Sequence, residues 1–204
     1  MIAQVDAQRD FSKGLLAHQT RFVAGRDVEV AADIVGSGAD AAVLGREQVE
    51  LQLDARVVGQ ALLGGEVYHY HMKMMLKEPR IGGAWEWHQD YGYWYKNQFL
   101  FPDQLISVMV ALTEANKANG CLQVIKGSHK LGRVNHGFSG EQVGADMVFV
   151  NNCLKTMEHV FVELEPGDAL FFHSNLLHRS EANTSDRPRW SFISCYNSLS
   201  NPAY

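Results

Sequence analysis

Three absences narrow the reading before any motif is considered. No apolar run approaches the roughly 18 residues a membrane-spanning helix needs, so none is expected. The three cysteines, Cys121, Cys153 and Cys195, stand far apart and form no CxxC pair, which excludes a disulfide framework and a thiolate zinc site. Basic residues number 18 against 23 acidic ones, a net charge of −5, so no general affinity for nucleic acid or acidic membrane surfaces is expected. The opening stretch, Met1 to Phe11, also lacks the basic start and apolar middle of a secretory signal. A reducing cytoplasm is the simplest compartment.

What is present is the composition of a soluble globular protein: 204 residues, 46% hydrophobic and 20% charged, enough for one domain with one sizeable core. There is no internal repeat, low-complexity segment or linker. Arg46 to Leu63 reads as a helix, with Val49, Leu53, Val57 and Leu62 near one face and Gly64-Gly65 ending it. Val23 to Gly45, rich in Ala, Gly and Asp, reads as loop with a short helix. After Gly65 the pattern changes to short strand-like runs: Val67–Met75, Ala84–His88, Leu105–Leu112, Cys121–Ile125, His159–Glu163, Ala169–Phe172 and Trp190–Tyr196. Gly82-Gly83, Asn119-Gly120, Lys126-Gly127 and Pro166-Gly167-Asp168 punctuate them as turns. The pattern predicts a single domain over 1–204, mostly helix and loop over 1–65 and a mainly β sandwich or jelly roll over 66–197. Arg133 to Lys155 has little strand character, and connections of that length in compact domains are usually functional.

The segment Trp87-His88-Gln89-Asp90 offers a metal pair. On an extended strand, residues i and i+2 share a face, so His88 and Asp90 can grip one ion as the start of a two-His, one-carboxylate triad. The motif alone is weak, since about one His-x-acid match is expected by chance. His88 is, however, the only histidine with an acid two places on. A third ligand should come from a distant strand. His178, at the start of a polar turn after the apolar run Ala169 to Phe172, suits this; His173 is its competitor. Arg189 opens the final strand eleven residues after His178, where a guanidinium can make a bidentate pair with a carboxylate inside the sandwich.

Taken in order, several pieces resemble the phytanoyl-CoA dioxygenase family, which includes ectoine hydroxylase. They are WHQD at 87–90, Phe101-Pro102-Asp103-Gln104-Leu105-Ile106, Asn119-Gly120-Cys121-Leu122-Gln123-Val124 followed by Lys126-Gly127-Ser128-His129, and His178-x-Ser180 with Arg189 beyond it. The resemblance covers roughly Val67 to Asn197. It implies a double-stranded β-helix, with Fe(II), 2-oxoglutarate and dioxygen used to hydroxylate a small molecule. It places the iron on His88, Asp90 and His178. It places the distal carboxylate of 2-oxoglutarate on Arg189, assisted by Ser180, with Lys77 resembling a lysine of the same site. Related halogenases have a small residue where this chain has Asp90, so a carboxylate there implies hydroxylation. Beside the family, the chain is short at its amino end and stops soon after the last strand.

Trp85, Trp87, Tyr91, Tyr93, Trp94 and Tyr95 cluster around the metal segment, and strand alternation should bring some of them to a cavity mouth. His69, His71, His129, His136 and His159 read as ordinary. With no Lys/Arg cluster to hold a coenzyme A phosphate, the expected partner is a small free metabolite, with no nucleic acid or membrane; the oligomeric state is not legible. Two other readings stay open: a zinc or manganese hydrolase or isomerase on a cupin-like sandwich, which would not need Arg189, and a non-catalytic jelly-roll binding module, which would tolerate loss of Asp90.

Overall fold

The computed structural model describes residues 22–25, 28–31, 55–95, 100–139 and 142–202. Twelve strands are placed among them. In chain order they are β1 (Phe22–Gly25), β2 (Val28–Ala31), β3 (Val67–Lys77), β4 (Trp85–His88), β5 (Leu105–Ala111), β6 (Leu122–Ile125), β7 (His136–Ser139), β8 (Gln142–Ala145), β9 (His159–Val162), β10 (Ala169–His173), β11 (His178–Ser180) and β12 (Arg189–Ser198). A helix over 55–63 is α1; α2 is the short Asp90–Trp94 and α3 is Met147–Thr156.

A six-stranded sheet runs in the order β2-β1-β10-β5-β12-β3 and faces a four-stranded sheet, β4-β11-β6-β9; β7 and β8 form a hairpin of their own. Apart from β1 on β10, the pairings are antiparallel. This is the jelly-roll form of the double-stranded β-helix. Its centre is β5, LISVMVA, buried at every position. A continuous apolar run is what a strand covered on both faces requires. Met109 and Ala111 point between the sheets, against Leu122, Val124, Leu170 and Phe172. Val108 and Val110 point the other way and are covered, with Phe171, Phe192 and Tyr196, by Ala55, Val58 and Leu62 of α1. A third cluster, Trp87, Ile125 and Leu177 against Val150 and Cys153, seats α3 on the back of the smaller sheet. All three cysteines are buried free thiols. No helix among the described residues is long and apolar enough to cross a membrane.

All seven expected strands are present, with ends shifted by a few residues. Other expectations need correction. The segment read as loop with a short helix instead holds β1 and β2, because β10 offers an open ladder whose backbone partners outweigh weak local strand propensity. The helix ends as expected, with the amides of Gly64 and Gly65 both on Gln60 O. Its buried face is rotated, however: Val58 and Leu62 pack inward while Val57 is 62% exposed. Arg46 to Asp54 lies outside the described residues. Arg133 to Lys155, expected as irregular connection, contains β7, β8 and α3. The helix starts where the Asp146 carboxylate caps Val148 N.

Candidate metal centre

β4 ends at His88, Gln89 stays extended (φ −116°, ψ 137°), and Asp90 is the first residue of α2. The pair therefore does not lie along one strand, as strand alternation would have it; it straddles a strand end and a helical turn. The turn is pinned by Tyr91 N on Ser174 O at 3.0 Å. From the other side β11 pairs antiparallel with β4, with His178 directly opposite His88. The two imidazole rings are 4.1 Å apart, centroid to centroid, and His178 Nε2 lies 3.9 Å from Asp90 Oδ1. One ligand atom from each of His88, Asp90 and His178 lies within 4.8 Å of the others. Such atoms around a small divalent metal sit roughly 3–4 Å apart, so little movement separates this arrangement from a coordinating one.

The surroundings fix which atoms face inward. His88 Nδ1 lies 2.6 Å from Glu86 O and His178 Nδ1 2.9 Å from Leu176 O. Each Nδ1 therefore carries the proton and donates it to a carbonyl, leaving Nε2 with its lone pair toward the centre. Burial favours the neutral form of both imidazoles: His88 is pushed down to about 3 by burial and then by His178, and His178 is lowered chiefly by burial. Burial alone would raise the Asp90 carboxyl. His178, His88 and the hydrogen bond from Ser107 Oγ to Oδ2 (2.6 Å) outweigh it and hold Asp90 below its ordinary value. Ser107 thus occupies one carboxylate oxygen and leaves Oδ1 for a metal. Two neutral imidazoles and one carboxylate on one side of a cavity are the donor set that suits iron(II) and leaves other positions open.

Two residues of this centre were not expected. Gln89 is fully buried. Its Nε2 donates to Gly132 O (2.8 Å) and Asn175 O (2.7 Å), and its Oε1 accepts from Val134 N (2.7 Å). It ties the segment bearing His88 and Asp90 to the turn that leads to His178. His136, taken as ordinary, accepts the Gln89 backbone N–H on Nε2 at 3.0 Å. Its ring lies so close to Gly92 that a side chain there would collide with it. The nearest hint in sequence is that Gln89 sits between two candidate ligands.

His173, the competitor for the third ligand, faces Asp103 at 3.0 Å away from the centre. Arg189 and Lys77 are cross-strand partners and both are 2% exposed. Arg189 donates through Nε and Nη2 to Gly120 O (3.2 and 3.0 Å) and through Nη1 to Ser191 Oγ (2.9 Å). Lys77 Nζ donates to Glu181 O. Burial brings Arg189 down to about 10; burial and then Arg189 bring Lys77 down to about 7. Gly120 makes this crowding feasible: its φ is +77°, and a Cβ there would strike Glu181 O. Ser180 is buried two residues after His178 on β11.

A cavity of about 300 Å³ opens on His88 and Asp90. Trp85, Tyr93 and Trp94 line it, with Lys73, Ile193, Cys195 and His71, one of the histidines read as ordinary. Trp87 and Tyr91 instead pack in separate cores, and Tyr95 lies under the Arg133 guanidinium. Arg189 and Lys77 are not in the cavity lining. By strand alternation they share the inward faces of β12 and β3 with Ile193 and Lys73, further along.

The family model for phytanoyl-CoA dioxygenase (PhyH) matches residues 7–191. An L-proline trans-4-hydroxylase from Streptomyces griseoviridis is 29% identical over 164 residues, 72% of this chain and 61% of that protein. An ectoine dioxygenase from Streptomyces coelicolor is 30% identical over 167 residues, 76% of this chain and 56% of that protein. Among solved structures, EctD from S. alaskensis with 2-oxoglutarate and 5-hydroxyectoine aligns at a TM-score of 0.62 and 27% identity, over 73% of this chain and 50% of that one. The same protein with bound Fe aligns at 0.62 and 26%, over 76% and 56%. The chain thus spans little more than half the length of these proteins.

Proposed function

Since this chain belongs to the phytanoyl-CoA dioxygenase family, we propose that it is an iron(II)- and 2-oxoglutarate-dependent dioxygenase that hydroxylates a small molecule. The observation that carries the reading is the meeting of His88, Asp90 and His178, with both imidazole Nδ1 atoms already committed to carbonyls. His88 Nε2, Asp90 Oδ1 and His178 Nε2 hold the iron. When bound, iron and 2-oxoglutarate supply the oxidising chemistry: dioxygen is consumed, the keto acid leaves as succinate and carbon dioxide, and a substrate C–H becomes C–OH. Arg189 and Lys77, two buried cations without a carboxylate partner among the described residues, receive the distal carboxylate of 2-oxoglutarate, with the Ser180 hydroxyl as a further donor. Phe172, whose ring centroid is 5.0 Å from that of His178, and the apolar wall beneath it keep water from the far side of the centre. The similarity to an L-proline trans-4-hydroxylase and an ectoine dioxygenase supports a small substrate.

The test is anaerobic addition of Fe(II) and 2-oxoglutarate. A visible charge-transfer band should appear, and succinate should form once oxygen is admitted. Neither a zinc hydrolase on the same sandwich nor a binding module would give both. A protein that binds zinc but shows no band and no succinate would overturn the reading.

A further inference from the structure

The cavity opens where two sheet edges meet. β3 ends the order of the six-stranded sheet and β4 ends that of the four-stranded one, and the cavity lies between these two strands, with Gln142 of β8 bonded to β4 at Glu86 N. Lys73 of β3 and Trp85 of β4 stand on opposite sides of that opening, with Lys73 Nζ 5.3 Å from the centroid of the Trp85 ring. Lys73 differs from the other cations near the centre. Lys77 and Arg189 donate to backbone carbonyls, and Arg179 pairs with Glu181. Among the described residues Lys73 makes no hydrogen bond and no ion pair, and its ammonium lies over the ring face of Trp85. Its charge is felt at His88, Asp90 and His178. The carboxylate that lines the cavity, Asp90, already holds Ser107 on one oxygen and offers the other to the metal. A half-buried ammonium among aromatic walls, whose nearest carboxylate is committed to Ser107 and the metal, is an incomplete arrangement that an arriving anion completes.

The co-substrate does not account for it. Lys77 and Arg189 lie four residues along β3 and β12 from the Lys73–Ile193 pair, about 13 Å of strand, and take the distal carboxylate of 2-oxoglutarate. The other end of the keto acid belongs on the metal. Lys73 stands instead at the mouth, where Trp85, Tyr93 and Trp94 supply flat apolar surface. About 300 Å³ is at the small end of ligand cavities.

We propose that the mouth is a carboxylate subsite: Lys73 binds the anionic group of the primary substrate, whose ring or alkyl body lies against Trp85, Tyr93 and Trp94. The substrate class is therefore a small apolar-bodied acid, and a cationic amine without an acid group is excluded. This assignment rests on the iron and 2-oxoglutarate reading. Holding the acid group at Lys73 fixes which carbon of the body comes to lie near the metal.

The test uses the protein loaded with Zn(II), which is redox-silent, and saturated with 2-oxoglutarate. Cyclohexanecarboxylate and its amide differ in charge and little in shape, and each is titrated by calorimetry. The acid should bind about tenfold or more tighter than the amide, the worth of a charge-assisted contact. Lys73→Arg should keep that gap and Lys73→Met should close it. Equal affinities in the unmodified protein, no binding of the acid at millimolar concentration, or a gap that survives Lys73→Met would each overturn the assignment. A separate titration of zinc-loaded Lys73→Met with 2-oxoglutarate reads the co-substrate alone: a tenfold loss there gives Lys73 to the co-substrate and ends the proposal. Unmodified protein that binds neither zinc nor 2-oxoglutarate would sink the dioxygenase reading itself, and this assignment with it.

Discussion

Replacing Gln89 with leucine removes the tie between the two halves of the metal centre without touching a ligand. Leucine fills most of the volume, so the change is mainly polar. It strands two buried backbone groups, the carbonyl of Asn175 and the amide of Val134, and the half-buried carbonyl of Gly132, each now bonded at 2.7–2.8 Å. A buried group left without its partner costs about 1–3 kcal/mol, so the two buried ones make about 2 kcal/mol at the low end. In a chain of this size each kcal/mol lowers the melting temperature by about 2–4 °C, which makes a fall of about 4–8 °C. Because Gln89 also sets the turn before His178, metal affinity should fall by about 10- to 100-fold, as for other residues that orient ligands. The assay pairs the melting curve of the metal-free variant with a Co(II) titration well below its melting point. Gln89→Glu sharpens it, since a carboxylate oxygen would then face two carbonyls in place of an amide. A Gln89→Leu protein that melts within a degree or two of the original and binds Co(II) equally well would refute the reasoning. A lower melting point with unchanged Co(II) affinity would leave Gln89 a staple of the fold alone.

Other outcomes follow from the same geometry. Asp90→Ala strands the buried Ser107 hydroxyl, which should cost about 1–3 kcal/mol in the metal-free protein, and should lose at least the 10- to 100-fold in iron affinity typical of ligand-supporting residues, and with it succinate formation; unchanged iron affinity would contradict it. Lys77, lowered to about 7 by burial and then by Arg189, is mostly neutral at pH 8, and a bound carboxylate favours its charged form. Binding of 2-oxoglutarate should therefore take up protons at pH 8 and weaken as pH rises above about 7, which calorimetry in buffers of different ionisation enthalpy would detect; no uptake contradicts it. In the ligand-free protein, Lys77 binds its proton more weakly than in the unfolded chain, so its contribution to stability rises with pH between about 7 and 10.5 and is lost as pH falls through that window. Gly120→Ala forces a side chain into positive φ and against Glu181 O, and should cost at least about 1 kcal/mol by thermal melting and weaken 2-oxoglutarate binding.

The strands with strong patterns were legible because local signals suffice for them. β5 is a continuous apolar run and β12 follows a polar turn, and each is where its residues put it. The convergence of His88, Asp90 and His178 was legible from one short motif and one downstream spacing. The local reason was not: Asp90 reaches the centre by a helical turn, which strand alternation does not anticipate. β1 and β2 were missed because their pairing comes from β10, more than a hundred residues away. Gln89, His136 and Lys73 were missed for the same kind of reason. Gln89 finds its partners at 132, 134 and 175, and His136 finds the Gln89 amide 47 residues back. Lys73 is one lysine in an exposed-looking Met-rich run until β4 folds Trp85 across from it.

The most direct test of the central claim is anomalous diffraction at the iron edge from anaerobic crystals grown with Fe(II) and 2-oxoglutarate. One iron peak should lie about 2.0–2.2 Å from His88 Nε2, Asp90 Oδ1 and His178 Nε2, with the keto acid reaching from it toward Arg189 and Lys77. An iron peak elsewhere, or a keto acid that leaves Arg189 and Lys77 untouched, would contradict the account.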